Sequence, residues 1–168
     1  IDSDDLWEAD KLAQHVAHLD AHPQVGLSFS RSAFIDAQGR PTRCFQMPRL
    51  TAIDAGYLFC RNPIGNGSAP VLRRQALAGI EFEHRHRGVV ERCYFDPTLR
   101  RSEDIECWVR LALTTDWVIE GIPQPLTRYR LNAGGLSAQL YQQLESWEDV
   151  AAKTARYAPD FMDQWGAI

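Results

Sequence analysis

The chain has 168 residues and a formal net charge of −4, and 45% of its residues are hydrophobic and 24% charged. This length and composition are typical of one globular domain with a sizeable core. The mild negative charge excludes a global attraction to nucleic acid or to an anionic membrane, and the longest apolar runs are far too short to span a bilayer.

The first predicted element is a helix that follows an acidic turn. The chain opens with IDSDDLWEADKL, which packs three aspartates into four positions. Asp4 or Asp5 is the expected N-cap, because acidic groups suit the positive end of a helix dipole. We expect the helix to end before His22-Pro23, since the residue before proline avoids the α region. The apolar positions at near-helical spacing are Leu6, Leu12, Val16 and Leu19.

The middle of the chain alternates between predicted strands and short helices. The alternating stretch VGLSFS predicts a strand over residues 25–30, and AFIDAQGRP continues it into a turn. A short helix is expected to start near Thr51. A glycine-rich turn then precedes a strand over residues 69–72 and a helix over residues 75–79. Residues 81–101 are polar and rich in His and Arg, and we expect them to be irregular.

The last third of the chain contains a predicted helix that Ser102 caps, with Ile105, Val109 and Ala112 on one face. Two strands, DWVIEGIP and PLTRYRL, are expected on either side of a proline pair, and NAGGLS predicts a loop. From Ala138 onward the pattern favours an amphipathic helix, followed by a shorter one. Helices and strands are mixed without a repeat or linker. The predicted class is therefore α/β, with residues 138–168 as a helical tail packed on, or extending from, one domain.

The four cysteines favour a reduced, cytoplasmic environment, because none forms a CxxC pair and a chain of this size does not need disulfides. They are Cys44, Cys60, Cys93 and Cys107. The start of the sequence, an isoleucine followed directly by an acidic turn, leads us to expect further residues upstream and Ile1 at the end of a buried strand.

The acidic run has two interpretations that the residues alone leave open. If the chain is extended there, Asp2 and Asp4 face the same way, because residues two apart on a strand share a face. Carboxylate oxygens are the ligands that Mg²⁺ and Mn²⁺ prefer, and ligands of α/β sheets gather beyond the carboxyl ends of strands. The alternative is a helix cap with extra acidic residues near the dipole. An EF-hand is excluded, since its required glycine and glutamate positions hold Trp7 and Ala13.

Four segments together resemble family 2 glycosyltransferases. IDSDDLWEADKL is similar to the Asp-x-Asp segment of that family, and RSEDIECWVRLAL is similar to its Glu-Asp segment. NPIGNGSAPVLRRQAL resembles the segment between them, and TDWVIEGIPQPLTRYRLNAGGLS resembles the closing strands and loop. The segments follow the family's order over residues 1–137, and the tail lies outside the resemblance.

The resemblance implies a GT-A fold, in which helices flank a nucleotide-diphospho-sugar transferase sheet, and an inverting transfer that depends on Mn²⁺ or Mg²⁺. The implied donor is a UDP-, GDP- or dTDP-sugar, and the implied acceptor is a glycan, a lipid-linked sugar or a cell-surface component. The family holds the nucleoside on strands that precede the Asp-x-Asp segment. We therefore expect residues 1–137 to be the acceptor-side part of a catalytic domain that lacks its N-terminal nucleotide-binding strands here and needs them for turnover.

The resemblance also implies roles for two carboxylate pairs. Asp4 is the expected metal ligand, with Asp2 beside it or on the donor's sugar or ribose. Asp104 is the expected base for the acceptor hydroxyl, and Glu103 is expected to orient the acceptor or the base. Ser102 as N-cap would place Asp104 in the first helical turn, where the dipole favours an ionised carboxylate. Acidic residues in a first turn are also ordinary helix starts.

Further candidate residues each have two interpretations. Gly65 and Gly67 lie in the turn GNGS, which either offers backbone N–H groups to the acceptor or is a tight turn before a strand. Trp108 either walls the sugar site or belongs to the core. The family often has a histidine in its closing loop where this chain has Asn132, whose carbonyl oxygen is a weaker metal ligand.

Basic residues offer the last candidates. Arg128 and Arg130 alternate along a strand and share a face, which either meets a diphosphate or faces solvent. The basic stretch over residues 84–101 either meets an anionic acceptor or lipid headgroups at the inner face of a membrane, or is a solvated loop. His84 and His86 have no partner ligand at a persuasive zinc spacing.

The expected function is therefore metal-dependent inverting glycosyl transfer from a nucleotide-sugar to a hydroxyl acceptor, with no nucleic-acid partner. The alternative is a non-catalytic GT-A-like binding or scaffold module. The absent donor half and Asn132 favour the alternative. The presence of both acidic pairs argues against it, because a module relieved of chemistry need not keep them.

Overall fold

The computed structural model describes residues 1–132 and 140–165. They form a mixed sheet flanked by helices, so the predicted α/β class is confirmed. The strands are β1 (Leu6–Trp7), β2 (Val25–Ile35), β3 (Pro41–Gln46), β4 (Pro70–Leu72), β5 (Phe82–His86), β6 (Val89–Cys93) and β7 (Val118–Arg130). The helices are α1 (Lys11–Ala21), α2 (Ala55–Cys60), α3 (Arg74–Ala78), α4 (Glu103–Thr114), α5 (Leu140–Tyr157) and α6 (Pro159–Trp165).

The centre of the sheet is the parallel pair β2–β7. The two strands pair along nearly their whole lengths, from Val25 opposite Val118 to Ile35 opposite Arg130. β1 joins β7, and β3 and β4 join β2, all antiparallel. Both central strands end at one edge of the sheet. The amino-terminal turn also lies at this edge, because β1 pairs with the end of β7. The candidate site is found here.

β7 is one strand, so the prediction of two strands separated by prolines is wrong. Ser30 pairs with Ile122 and Arg31 with Pro125, which leaves extra residues on β7 at this point. Pro123 and Pro125 are exposed in this irregularity. Proline donates no ladder hydrogen bond, and a bulge accommodates that loss while the strand continues.

Helix α1 begins later and buries a different face than predicted. Its N-cap position is Asp10, and neither Asp4 nor Asp5 caps it. The buried residues are Lys11, His15 and Leu19. Two of the apolar residues used for the prediction are instead on the outside, with Leu12 53% and Val16 51% exposed. The predicted end before His22 is confirmed.

Residues 82–93 form a β-hairpin, so the prediction of an irregular segment over 81–101 is wrong there. β5 and β6 pair from Phe82 opposite Cys93 to His86 opposite Val89. Arg87 and Gly88 form the two-residue turn, with φ of 48° and 83°. Positive φ at both central residues is the geometry that matches the twist of a hairpin. The strands carry mostly polar side chains, so the alternation of apolar and polar residues that predicts a strand is absent.

Several shorter elements depart from prediction only at their ends. α2 starts at Ala55 rather than near Thr51, because the Asp54 carboxylate accepts a hydrogen bond from Tyr57 N at 2.7 Å and caps it. The predicted loop over residues 133–137 and the start of the tail helix at residue 138 lie outside the described residues.

The tail packs on the rest of the chain through aromatic and ionic contacts. Trp147 on α5 meets Phe59 edge to face, with ring centroids 5.8 Å apart. Trp165 fills the space where a side chain on Gly56 would lie. Lys153 Nζ lies 2.7 Å from Asp96 and 3.1 Å from the buried Glu106 carboxylate. These contacts attach α5 and α6 to α2, α4 and the loop after the hairpin.

Two general features concern the whole chain. All four cysteines are free, and Cys107 is buried in the core. Among the described residues, no helix has both the length and the apolar character that crossing a membrane requires.

Candidate active site

A cleft of about 190 Å³ opens at the edge where the central strands end. Three segments that are distant in the chain supply most of its lining: the amino-terminal turn, the glycine-containing loop before β4, and the start of α4. Five of the predicted site residues lie in its lining, namely Asp2, Gly65, Gly67, Glu103 and Asp104. The remaining lining residues are Asn62, Asn66, Arg101, Ser102, Ile105, Tyr129 and Gln143.

The amino-terminal segment is a β-turn, so the expectation that Asp2 and Asp4 share one face of an extended strand is wrong. Asp5 N donates to Asp2 O at 3.3 Å, which closes the turn. Asp2 N donates to Ser68 Oγ at 2.9 Å, and the Trp7 indole donates to Ser68 O at 2.8 Å. The turn is therefore fastened to the glycine-containing loop, with the Asp2 carboxylate at the cleft.

Asp4 lies beside the cleft rather than in its lining. Its carboxylate accepts from Asn132 Nδ2 at 2.8 Å, so the structure brings these two predicted residues together. Its carbonyl accepts from Arg130 Nε at 2.7 Å. Asp5 is 6% exposed and accepts from Arg130 N at 2.9 Å. Burial raises the pKa of Asp5, and the neighbouring Asp4 and Asp2 charges add to that rise.

The loop before β4 is built by two asparagines. Asn62 Oδ1 accepts from Gly65 N at 3.0 Å, and Gly65 has a φ of 86°, which favours glycine. Asn66 Oδ1 accepts from Ser68 N at 3.1 Å, while its amide nitrogen donates to Ser32 Oγ at 3.0 Å. The Asp2 carboxylate lies 3.7 Å from the point where a Cβ on Gly67 would be. Any side chain larger than glycine would therefore project toward Asp2.

Helix α4 begins as predicted, but Ser102 does not cap it with its side chain. Ser102 occupies the N-cap position in a left-handed conformation with a φ of 57° and makes no capping hydrogen bond. Its carbonyl accepts from Glu106 N at 3.0 Å. Glu103 and Asp104 form the first turn, and Asp104 Oδ1 accepts from Ile105 N at 2.7 Å. This holds the Asp104 carboxylate on a rigid element at the cleft.

The pKa of Asp104 is raised to about 6. Burial is the main cause, and the charges of Glu103 and Asp2 add to it, while the hydrogen bond from Ile105 N acts in the opposite direction. The helix dipole alone predicts a lowered pKa for Asp104, so the raised pKa is contrary to that expectation. A carboxylate with a pKa this close to neutrality is suited to exchanging a proton with a bound hydroxyl.

The side chains at the turn are of the types that a divalent cation uses as ligands. Asp2 and Asp4 supply two carboxylates, and Asn132 supplies an amide. Within the described residues, the acidic side chains here do not converge as a compact set of three ligands. Mg²⁺ commonly uses one or two carboxylates and takes its other ligands from water and phosphate oxygens, so the donor set matches that pattern rather than a closed protein cage.

Trp108 does not wall the site, so that interpretation of the tryptophan is wrong. It is 1% exposed and packs edge to face on Phe95, with ring centroids 5.8 Å apart. It belongs to the core with Leu111 and Val109 of the same helix.

The predicted basic residues are engaged with protein groups. Arg128 makes an ion pair with Glu8 at 2.6 Å. Arg130 donates to Asp4 O and to Asp36 O, which ties the amino-terminal turn to the loop after β2. His84 and His86 stack on the hairpin with centroids 6.4 Å apart, and they are not among the clustered ligands that the described residues form.

Several lining residues, among them Tyr129 and Gln143, were missed by sequence reasoning. Tyr129 sits between the two arginines of β7, which is a positional signal. Arg101 was a candidate only as the last residue of the basic stretch over residues 84–101, and it lies in the lining. Gln143 belongs to the tail, to which the resemblance assigns nothing. Its presence makes α5 part of the cleft wall.

Comparison with known proteins gives no family for this chain. No family model matches it, and no curated protein matches it either. The chemistry of the cleft therefore rests on its own residues.

Proposed function

We propose that the chain belongs to a metal-dependent inverting glycosyltransferase with a GT-A-like fold. The observation that carries the proposal is that Asp2 and the Glu103-Asp104 pair line one cleft together with the loop that holds Gly65 and Gly67. These are the acidic segments for which the sequence resemblance implies metal binding and base catalysis. A parallel strand pair that ends at this cleft is compatible with the proposal.

In the proposed reaction, the Asp104 carboxylate accepts the proton of the acceptor hydroxyl as that oxygen attacks the donor sugar. A pKa of about 6 leaves Asp104 ionised near neutral pH and still basic enough to bind a proton. Ile105 N orients the carboxylate by donating to Oδ1. Glu103 lies beside it in the cleft and is proposed to position the acceptor.

Asp2 and Asp4 would hold Mn²⁺ or Mg²⁺ with Asn132 beside them. When bound, the cation would stabilise the negative charge of the departing diphosphate as a Lewis acid. The base and the diphosphate then lie on opposite faces of the sugar, so direct attack inverts the anomeric centre and requires no covalent enzyme intermediate.

The loop of Gly65 and Gly67 is proposed to admit the acceptor. Gly67 has no side chain to fill the space beside the Asp2 carboxylate, whereas the space beside Gly65 is taken by the Gln46 side chain. The asparagine contacts hold the backbone of the loop in place. The donor is a UDP-, GDP- or dTDP-sugar, and the acceptor is a glycan, a lipid-linked sugar or a cell-surface component.

A second candidate is a non-catalytic GT-A-like binding or scaffold module. The observation that favours it is the hydrogen bond from Asn132 to Asp4, which occupies one of the carboxylate oxygens that a cation would need. In this candidate the acidic turn has a structural role, and the cleft binds a glycan without turning it over.

The experiment uses the longest natural chain that contains these residues. Transfer and hydrolysis are measured for UDP-, GDP- and dTDP-sugars with Mn²⁺, for the wild type and for Asp104→Asn. We expect Asp104→Asn to lose about 100-fold or more in kcat while donor binding is retained. Asp149→Asn, an exposed carboxylate on α5, is the matched control and should keep its activity.

Two results would contradict the proposal. Full activity in Asp104→Asn would remove the base assignment. No turnover with any donor, together with no Mn²⁺-dependent binding of UDP, GDP or dTDP, would favour the scaffold.

A further inference from the structure

Three metal-ligand side chains converge at the opposite end of the sheet from the candidate active site. They are His18 and His22 from the end of α1 and Glu120 from the start of β7. One ring nitrogen of each histidine and one oxygen of Glu120 all lie within 4.8 Å of one another. No other trio of His, Cys, Asp or Glu is as compact in the part of the chain that the structure describes.

Two features of the fold bring these residues together. His18 and His22 are four positions apart, so they face the same way at the end of the helix. The parallel register places Glu120 opposite Ser28, and α1 packs on these strands. The candidate ligands are therefore carried by helix α1 and by β7, which pairs with β2 at the centre of the sheet.

The end of α1 is also held in place independently of the histidine rings. The Arg73 guanidinium donates to the carbonyls of Leu19 and His22, and to Val25 O at 2.8 Å. The backbone that carries His22 is thereby tied to the strand that carries Ser28. The three candidate ligands are preorganised rather than gathered by chance at a flexible tip.

The hydrogen bonds of His18 leave one ring nitrogen available to a ligand. His18 Nδ1 lies 2.8 Å from Ser28 Oγ, and His18 Nε2 faces the Glu120 carboxylate at 3.4 Å. A hydroxyl oxygen can accept the Nδ1–H, which leaves the lone pair on Nε2. Metal-binding histidines usually have such a partner on their second nitrogen, because it fixes the tautomer and the ring orientation.

His22 has a polar atom with no such partner. Its Nδ1 is buried and makes no hydrogen bond within the described residues. The His18 side chain is 9% exposed and that of Glu120 is 22% exposed. Leaving a buried polar atom unpaired is costly, and polarising or fixing the ring by coordination is one way for a protein to use such a histidine.

One of the three ligand-atom separations matches a zinc site, and the other two lie within 4.8 Å. With Zn–N and Zn–O bonds of about 2.0–2.1 Å, two ligand atoms of a tetrahedral site are about 3.3–3.4 Å apart. The distance from His18 Nε2 to Glu120 Oε1 is 3.4 Å. Two histidines and one glutamate also form a common three-ligand set for zinc, with the fourth position open to water or substrate.

We propose that His18, His22 and Glu120 form a Zn²⁺ site of three protein ligands, with Ser28 positioning His18. The site is independent of the proposed glycosyl transfer. Glu120 and Arg130 are ten positions apart on β7, which is roughly 30 Å of extended strand, so this zinc lies far from the acidic turn. It cross-links the end of α1 to the sheet and leaves one coordination position open.

The first experiment measures metal binding directly. The purified protein is treated with a chelator, the chelator is removed, and Zn²⁺ is titrated in competition with a chromophoric chelator. We expect one tightly bound Zn²⁺ per chain, and His22→Gln and Glu120→Gln should each weaken binding by at least about 10-fold. His84→Gln, on the other pair of neighbouring histidines, is the matched control and should bind as the wild type does.

A second measurement does not depend on the variants folding. Histidine-ring NMR of the wild type should show the resonances of His18 and His22 shifting on addition of Zn²⁺, while those of His84 and His86 stay. A melting temperature that rises with Zn²⁺ in the wild type and not in His22→Gln would agree with this, because a ligand that binds only the folded state stabilises it.

Three outcomes would overturn the proposal. The first is a wild type that binds no Zn²⁺, in which case His18 and Glu120 form only an ion pair. The second is wild-type affinity in a folded His22→Gln or Glu120→Gln. The third is a shift of the His84 and His86 resonances in place of those of His18 and His22.

Discussion

The side-chain amide of Asn132 donates a hydrogen bond to the Asp4 carboxylate at 2.8 Å. This contact joins the chain that leaves β7 to the turn that precedes β1. The acidic turn is therefore held by hydrogen bonds at both Asp2 and Asp4. The contact also places the Asn132 amide against Asp4, the proposed metal ligand, and the first prediction concerns this pair.

Replacing Asn132 with histidine should strengthen Mn²⁺-dependent binding of a nucleoside diphosphate by several-fold. Imidazole is a better ligand for Mn²⁺ than an amide oxygen, and the exchange frees the Asp4 carboxylate from its hydrogen bond. Isothermal titration of UDP, GDP and dTDP with and without Mn²⁺ checks this. Asn132→Ala is the control, because it frees Asp4 without adding a ligand. Equal affinities for the two variants would contradict the prediction.

The stability of Asp104→Asn should depend on pH in a defined direction. The folded pKa of Asp104 is about 6, above its ordinary value of 3.8. Ionisation is therefore harder in the folded state, and the wild type loses stability as pH rises from about 4 through about 6. We expect the variant to be more stable than the wild type by roughly 1–2 kcal/mol at neutral pH, with the gain gone below about pH 4.

Urea unfolding at several pH values measures this gain. Glu148→Gln, an exposed carboxylate on α5, is the control and should follow the wild type. A gain that is the same at pH 4 and pH 7 would show that the cause is not the ionisation of Asp104.

Lys11→Met should destabilise the fold, and the loss should grow at alkaline pH. Lys11 is fully buried, and its ammonium donates to Ala69 O at 2.6 Å, Thr127 Oγ1 at 3.1 Å and Ser30 Oγ at 3.2 Å. Removing it takes the charged donor from Ala69 O and from the Ser30 and Thr127 hydroxyls, which keep their bond to each other, at a cost of about 2–4 kcal/mol.

The pH dependence of this loss follows from the pKa of Lys11, which burial lowers from 10.5 to about 7. Between these values the unfolded chain binds the proton and the folded chain does not, so the wild type gains stability as pH rises through this window. The difference between the wild type and Lys11→Met should therefore increase from pH 7 to pH 10 in chemical denaturation. Arg85→Met, which removes an exposed charge, should show no such trend.

Lys153→Met should loosen the tail from α4. Lys153 lies within ion-pair distance of both Asp96 and Glu106. Burial acts to raise the pKa of Asp96, but the hydrogen bonds from Lys153 and Thr98 outweigh it and hold the pKa at about 2. A lowered carboxylate pKa stabilises the fold above its ordinary value of 3.8, and that stability is lost as pH falls through about 2.

We expect Lys153→Met to cost about 1–3 kcal/mol at neutral pH and progressively less below about pH 4. Thermal unfolding across pH checks this, with the exposed Arg156→Met on the same helix as the control. The Lys153 ammonium also lies over the Phe82 ring, 4.7 Å from its centroid. A cost that does not change with pH would assign the effect to the loss of this contact rather than to the ion pairs.

The fold was predictable where apolar pattern and burial agree. β2 and the start of α4 follow from alternating and helical spacing, and both are buried as expected. α1 was misread because its buried face carries Lys11 and His15, whose burial depends on partners from distant strands. The hairpin was missed because its strands are mostly polar and their two valines, Val89 and Val90, are exposed, so no apolar alternation marks a buried face.

The sequence identified the segments of the candidate site but not their arrangement in space. The acidic pairs and the glycine loop were identified one by one, and the structure places Asp2, Gly67 and Asp104 at one cleft. The acidic turn was predictable, but its attachment to the glycine-containing loop was not, because that depends on the hydrogen bond from Asp2 N to the distant Ser68. The trio of His18, His22 and Glu120 requires the parallel register of β2 and β7, which no local pattern reveals.

That register also determines when this protein is able to fold during synthesis. β2 finds its central partner only in β7, so the middle of the sheet stays open until the ribosome has released the chain as far as Arg130. Until then β2 lacks the strand with which it forms its longest pairing, and pairing across so long a stretch of chain is slow. Nascent chains that stop short of this strand should therefore be substrates for chaperones and proteases.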